Sequence, residues 1–282
     1  MSRRPHSPKV RLRQLARVLR DLREEKGMTR EQVADATEMN RATLYRIEMA
    51  QARPQVRTLR ALLDVYGVAE ARRAELVALL KAANEPGWLQ TAADLPPQYA
   101  TYIGFEQEAR RVLNYETSFI PGLLQTEAYA RAAIPGGAPE LPREEVENRV
   151  RARMQRQARR EPPLALWAII DEAAIHRRVG GPAVMREQLQ RLLEESEQSH
   201  LTLQLVPFAA GVHPGMHGSF VILQFSEEHH DVVYIESTTS DLFLEGVQDV
   251  ARYNLVFEHL RAVAASPDVT YDLVAEALTK IK

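Results

Sequence analysis

From Val10 to Lys26 the apolar positions Leu12, Leu15, Ala16, Leu19 and Leu22 recur at the three-to-four spacing that buries one face of a helix. Gly27 supplies the left-handed residue on which such a helix ends. Thr29 opens a second helix, with Gln32 three residues on as its capping-box partner and Val33, Ala34 and Ala36 as a short apolar side. After a break at Glu38–Met39, Asn40 caps a third short helix carrying Leu44, Ile47 and Met49. Pro54 interrupts again. Leu59, Leu62, Leu63 and Tyr66 then make a fourth helix closed by Gly67, and Leu76, Leu79 and Leu80 mark a fifth from Ala69 to Asn84. Short helices in this succession, two of them joined by a tight turn, have helix-turn-helix organisation.

The pattern then changes kind. Residues 85–98 mix Pro, Gly and small side chains and read as a linker between a first domain at 1–84 and a second at 99–282. The second is expected to hold helices over 99–113, from Pro121 onward, over 143–160, over Asp171–Arg178 and after the Gly180–Gly181–Pro182 break, where Met185, Leu189 and Leu192 repeat. A loop is expected at 135–142 and closing helices at 246–265 and 269–281. Strands are expected at Leu113–Thr117, in the apolar run LALWAII at 164–170, and where Leu201, Leu203 and Leu205 alternate with polar residues. SFVILQF (219–225) and DVVYIES (231–237), separated by a polar EEHH loop, read as a hairpin. The expected fold is an all-α helix-turn-helix domain followed by an α+β domain with a small, largely antiparallel sheet.

Composition narrows the classes. A length of 282 residues suits two domains, and 45% hydrophobic with 26% charged residues is ordinary for a globular chain. The absence of Cys excludes disulfide scaffolds, thiolate metal sites and cysteine nucleophiles. The longest apolar runs fall far short of the ~20 residues that span a bilayer, and MSRRPHSPKVRLR lacks the apolar stretch of a secretory signal. A cytoplasmic protein with no membrane partner is expected. The net charge of −2 conceals an asymmetry: the first 60 residues hold 15 basic and 7 acidic residues, while 86–282 hold 18 and 27. A basic arm on an acidic body suggests nucleic acid as the partner of the first domain.

GMTREQVADATEMNRATLYRIE, followed by ARPQVRTLRALLDVYGV, resembles the lambda-repressor-like, Xre-type DNA-binding domain through Gly27, Thr29, Ala34, the Leu44/Ile47 pair, Glu48 and the Tyr66–Val68 close. Glu38 and Ala50 stand where that family usually has Gly, so both are expected in left-handed or adjusted backbone at a cost on the order of 1 kcal/mol each. The resemblance places Arg41, Ala42 and Arg46, with Thr43 and Tyr45 beside them, at base edges in the major groove. It places Arg30, with Gln51, Arg53 and Arg57, against phosphate. Solvated helix-face arginines are the competing reading at each Arg, whereas Val33, Leu44 and Ile47 read as core.

In the second domain YETSFIPGLLQTEAYARA, RVRARMQRQ, IIDEAAIHRRVGG, GSFVILQF and VVYIE resemble the uncharacterised, antitoxin-like C-terminal domain of actinobacterial regulators. Glu106, Tyr115, Arg153, Glu172 and Glu236 are polar residues inside those motifs. The first four, with His213 and His217, are candidate ligand contacts, with buried ion pairs and caps as the bland alternative. The two His lie four apart but among Pro214, Gly215 and Gly218, so no metal site is expected, and His229, His230 and Asp231 could join them only if the fold brings them near. Six Arg and no acid over 149–160 suggest a solvated face pairing with the domain's surplus carboxylates more than a second phosphate track. No nucleophile elbow, phosphate loop or metal motif points to an enzyme, and no cofactor is expected.

The resemblance therefore implies a sequence-specific transcriptional regulator. It would act as a homodimer on a pseudo-palindromic stretch of double-stranded DNA, with a second domain sensing a small molecule or a small protein. The alternative is an antitoxin-like protein that neutralises a small partner and autoregulates.

Overall fold

A computed structural model describes residues 10–82, 95–158, 164–225, 231–237 and 240–281. The linker expected at 85–98 falls largely outside the described residues, as do the EEHH loop with His229 and His230, and Arg159–Arg160. Its contacts divide the chain into two units, Met1–Gln90 with Pro97–Gly104, and Thr91–Pro96 with Phe105–Lys282.

The first unit holds α1 (Val10–Glu25), α2 (Arg30–Ala36), α3 (Arg41–Glu48), α4 (Val56–Val65) and α5 (Glu70–Ala82). Its boundaries follow local chemistry. Gly27 sits at φ +64, and the Met28 N–H reaches back to the Arg23 carbonyl at 3.1 Å, closing the end of α1. Thr29 and Gln32 form the reciprocal capping box, and Asn40 Oδ1 accepts from the Ala42 N–H at 2.8 Å. Glu38 and Ala50 are the two non-Gly residues with positive φ among the described residues, at +52 and +54. The turns before and after α3 thus keep a left-handed geometry without the glycine that usually supplies it. Leu15, Leu19, Val33, Leu44, Ile47, Leu59, Leu62, Leu63, Tyr66, Leu76 and Leu80 form one core. Met49, expected on the apolar side of the third helix, is exposed.

Helix α6 spans Pro97–Glu108 and ends before β1 (Arg111–Glu116). The helix expected from Pro121 divides into a 3-10 turn at Gly122–Leu124 and α7 (Glu127–Gly137), capped by Thr126 and running through Pro135 into the segment expected as loop. Then come α8 (Arg143–Ala158), β2 (Ala165–Asp171), α9 (Glu172–His176), α10 (Pro182–Ser196) and β3 (Leu201–Val206). The chain closes with β4 (Phe220–Gln224), β5 (Val232–Ile235), β6 (Leu242–Leu244), α11 (Val247–Val263) and α12 (Pro267–Thr279).

The sheet corrects the expectation of a small, largely antiparallel one. It has six strands in the order β3-β2-β1-β4-β5-β6. β1 with β2 and β2 with β3 pair parallel, and the other three pairings are antiparallel. The reason lies in the connections: α7–α8 and α9–α10 carry the chain back to the start of the next strand, as parallel pairing demands. A strand covered on both faces also shows a continuous apolar run, which is what Leu166–Ile170 is. On one face Leu113, Tyr115, Ile169, Val206, Phe220, Ile222 and Val233 pack on Phe257 and Leu260 of α11. The free edge of β3 is closed by the connection between α11 and α12 together with the first turn of α12: Ala265 N–H donates to the Leu205 carbonyl at 2.8 Å, and Leu205 N–H to Thr270 Oγ1 at 3.0 Å.

Candidate nucleic-acid interface

Helix α3 turns Leu44, Ile47 and Glu48 into the core and leaves Arg41, Ala42, Tyr45 and Arg46 exposed, with Thr43 half-buried. The helix is locked by a charge. Glu48 is fully buried, and its carboxylate accepts from Arg23 Nε at 2.7 Å and from Arg30 Nε at 2.6 Å. Arg20 Nη2 donates to the Glu48 carbonyl at 3.2 Å. The hydrogen bond to Glu48 holds the Arg23 guanidinium above its ordinary pKa, against the opposing effect of burial. Two guanidiniums on one carboxylate leave the triad at net +1, with the surplus on the side of the half-exposed Arg30, which also lies 5.5 Å from the centre of the Tyr45 ring.

The remaining candidates are placed as follows. Arg41 Nη1 lies 2.6 Å from Glu31 Oε1 with both side chains largely in solvent, where water screens the pairing to little net worth. Glu31 is held below the usual carboxylate range by its own backbone N–H, with Arg41 contributing. Arg46 folds along its own helix, donating to the Ala42 carbonyl at 3.3 Å and to Thr43 Oγ1 at 3.4 Å. Arg53 Nη2 donates to the Leu80 carbonyl at 2.8 Å, in the last turn of α5. Gln51 and Arg57 are exposed, the latter in the first turn of α4. Arg41, Ala42, Tyr45 and Arg46 thus share one exposed face with Arg30 beside it, while Arg53 caps a helix. Sequence reasoning missed the anchoring role of Glu48. The signal was present: an acid in phase with Leu44 and Ile47 on a buried face requires a cation.

In the second unit, Glu106 and Arg156 form a buried fork at 2.9 and 2.5 Å. Arg153 Nη1 donates to Gln125 Oε1 at 2.6 Å. It acts on Glu116, whose carboxyl burial pushes up to about 7, against hydrogen bonds from Ser219 and Asn114. Glu172 accepts from the Phe208 N–H at 2.6 Å and lies 3.3 Å from His176 Nε2. His213 is buried, with Nε2 3.7 Å from Asp171 Oδ2, and its ring meets that of Tyr115 edge to face. Tyr115, Glu172 and His213 therefore gather at the carboxyl ends of β1 and β2. Glu106 and Arg153 lie elsewhere, and His217 is exposed on the same loop as His213. Among the described residues, no three His, Cys, Asp or Glu stand together to hold a metal ion.

A family profile described as a domain of unknown function, DUF5753, matches residues 99–276. The chain belongs to the DUF5753 family. A second profile, a helix-turn-helix domain, matches residues 14–76, which include α2, α3 and the Glu48 triad. This DUF5753 member therefore carries a helix-turn-helix region of the kind found in DNA-binding regulators, which points away from an enzyme. No curated protein and no solved structure matches the chain. No helix among the described residues is long and apolar enough to cross a membrane.

Proposed function

We propose that the protein is a sequence-specific transcriptional regulator of the Xre type. It works in the cytoplasm as a homodimer on a pseudo-palindromic operator, and its second domain senses a small molecule or a small protein. The observation that carries the reading is the exposed side of α3, where Arg41, Ala42, Tyr45 and Arg46 stand on a helix anchored through Leu44, Ile47 and the Glu48 triad. A helix fits the major groove, and residues near its start reach base edges. Arg41 offers a guanidinium fork to a guanine and Ala42 a methyl to a thymine. Gln51 and Arg57 serve the phosphates, with Arg30 reaching them from its triad and Arg53 from its place beside α5. One small helix-turn-helix reads few base pairs, so two copies on half-sites about one turn apart supply the specificity. The gathering of Tyr115, Glu172 and His213 at the carboxyl ends of β1 and β2 supports the sensing role.

Selection of bound duplexes from a random library by the full chain tests the reading. Enrichment of a pseudo-palindrome with one-turn spacing is expected. Retention of DNA with no enriched sequence contradicts it.

A further inference from the structure

The segment 207–218 crosses the carboxyl ends of β2 and β1 on its way from β3 to β4. In open α/β sheets that end of the parallel strands, where the strand order reverses, is where ligands seat. Few polar contacts hold the segment there. Phe208 N–H donates to Glu172 Oε2 at 2.6 Å, His213 Nε2 lies 3.7 Å from Asp171 Oδ2, and just beyond it Ser219 Oγ accepts from the Thr117 N–H at 3.1 Å. Gly215 rests on the Tyr115 ring so closely that a Cβ would come within 2.4–2.6 Å of Cζ, Cε1 and Oη. Phe208, Val212 and Met216 are 61%, 92% and 65% exposed, so the segment's share of the core is limited to the half-buried Ala210, His213 and Gly215.

Where the segment meets β1, two side chains more than nine-tenths buried each keep a polar atom with no hydrogen-bond partner among the described residues: Tyr115 Oη on the strand and His213 Nδ1 on the segment itself. Buried polar groups are nearly always paired, and a fold that keeps two orphans side by side does so against its own stability. The ring centres of Tyr115 and His213 are 6.3 Å apart. Around them stand Phe220, 5.9 Å from Tyr115, and Tyr253, 5.0 Å from Phe220.

The chemistry of the two orphans selects the ligand. Asp171 beside Nε2 favours the tautomer that carries its proton there, leaving Nδ1 as an acceptor. Tyr115 offers an O–H. One hydroxyl or primary amide satisfies both, donating to Nδ1 and accepting from Tyr115. An anion is disfavoured, because the charges acting on the Tyr115 hydroxyl are those of Asp171 and Glu116. An ammonium is disfavoured because it only donates: it could serve His213 Nδ1 but would leave the Tyr115 O–H without an acceptor.

We propose that segment 207–218 is a lid over a binding site for a small uncharged molecule bearing a hydroxyl or amide on an apolar body, held by Tyr115 and His213. The proposal deepens, and rests on, the reading of the second domain as the sensing part. As the segment parts from β1 it carries His213 with it, and the ligand fills the gap between His213 and Tyr115, with the aromatic walls taking up its apolar body.

Thermal unfolding of the full chain tests it, with benzyl alcohol and benzamide as probes and benzylamine and benzoate as charged controls of similar shape. Tyr115→Phe without probe is expected to raise the Tm, because it deletes an unpaired hydroxyl. The two uncharged probes are expected to raise the Tm of the wild type but not of Tyr115→Phe or His213→Leu, and the charged controls to raise neither. A lower Tm for Tyr115→Phe shows that the hydroxyl has a structural partner and overturns the proposal. So do uncharged probes that leave the wild-type Tm unchanged, or four probes that act alike on wild type and Tyr115→Phe. Duplex affinity measured with the same probes separates the two readings. A probe that raises the Tm but leaves DNA affinity unchanged supports the site and contradicts sensing. Failure of the Tm shifts with DNA binding intact overturns the site alone.

Discussion

Arg30 Nε lies 2.6 Å from Glu48 Oε2, so a residue expected to meet phosphate is first of all a partner of a buried acid. The two roles are compatible because Arg23 already neutralises the same carboxylate from the other side, at 2.7 Å. The surplus positive charge then belongs to the outward-facing Arg30. The same triad that fixes α3 in the core thereby presents a cation beside its exposed face.

Glu48→Ala tests the anchoring half of this arrangement. Removing the acid takes from the buried Arg23 its buried partner and leaves it only the exposed Glu24, 3.1 Å away; loss of one member of a buried ion pair costs about 3–5 kcal/mol in comparable cases. Denaturant unfolding of the full chain should show the first domain's transition at markedly lower denaturant. An unchanged transition would mean that the apolar core alone positions α3.

Arg57 tests the phosphate contacts. It is exposed in the first turn of α4 and makes no hydrogen bond or ion pair among the described residues, so Arg57→Ala removes a charge without removing packing. Affinity should fall for all duplexes alike, and the slope of log affinity against log salt should shrink by about 1. Arg53→Ala is a less clean experiment, since Arg53 also holds the end of α5 through the Leu80 carbonyl.

Glu116 gives the second domain a pH dependence of definite sign. Burial raises its carboxyl from 4.5 to about 7, so the folded chain binds this proton more tightly than the unfolded chain does. Its contribution to stability is fully present below about 4.5 and is lost as pH rises through about 7. The Tm of the wild type should fall across this window more steeply than that of Glu116→Gln. Parallel pH profiles would show that the carboxyl titrates as an ordinary surface group.

Much of the first domain was legible because its signals are local. Thr29 with Gln32, Asn40, Gly27 and Gly67 mark helix ends within four residues, and the left-handed turns at Glu38 and Ala50 follow from what stands where Gly is usual. That the in-phase Glu48 needs a cation was legible, but not which one, since Arg23 and Glu48 meet across the whole of α2. The sheet was only half legible: strands were found, but a short apolar run such as Leu166–Ile170 does not say whether its neighbour runs with or against it. The three-residue strand Leu242–Leu244 was missed because two leucines around a phenylalanine carry no period. Tyr115 and His213 were each noticed for their residue type, but Asp171 and Gly215, which place them, could be found only once β1, β2 and the β3–β4 connection were side by side.

The most direct test of the central claim compares wild type and Arg41→Ala at fixed salt, on the selected operator and on random duplex. The weak surface pairing of Arg41 with Glu31 leaves the guanidinium available to a base at little cost. Loss of one guanine fork should weaken operator binding by ~1–3 kcal/mol and relax selection at a single base position in each half-site, with random duplex bound nearly as before. Equal weakening on both duplexes would place Arg41 on the phosphate backbone and contradict the assignment of α3 as the base-reading helix.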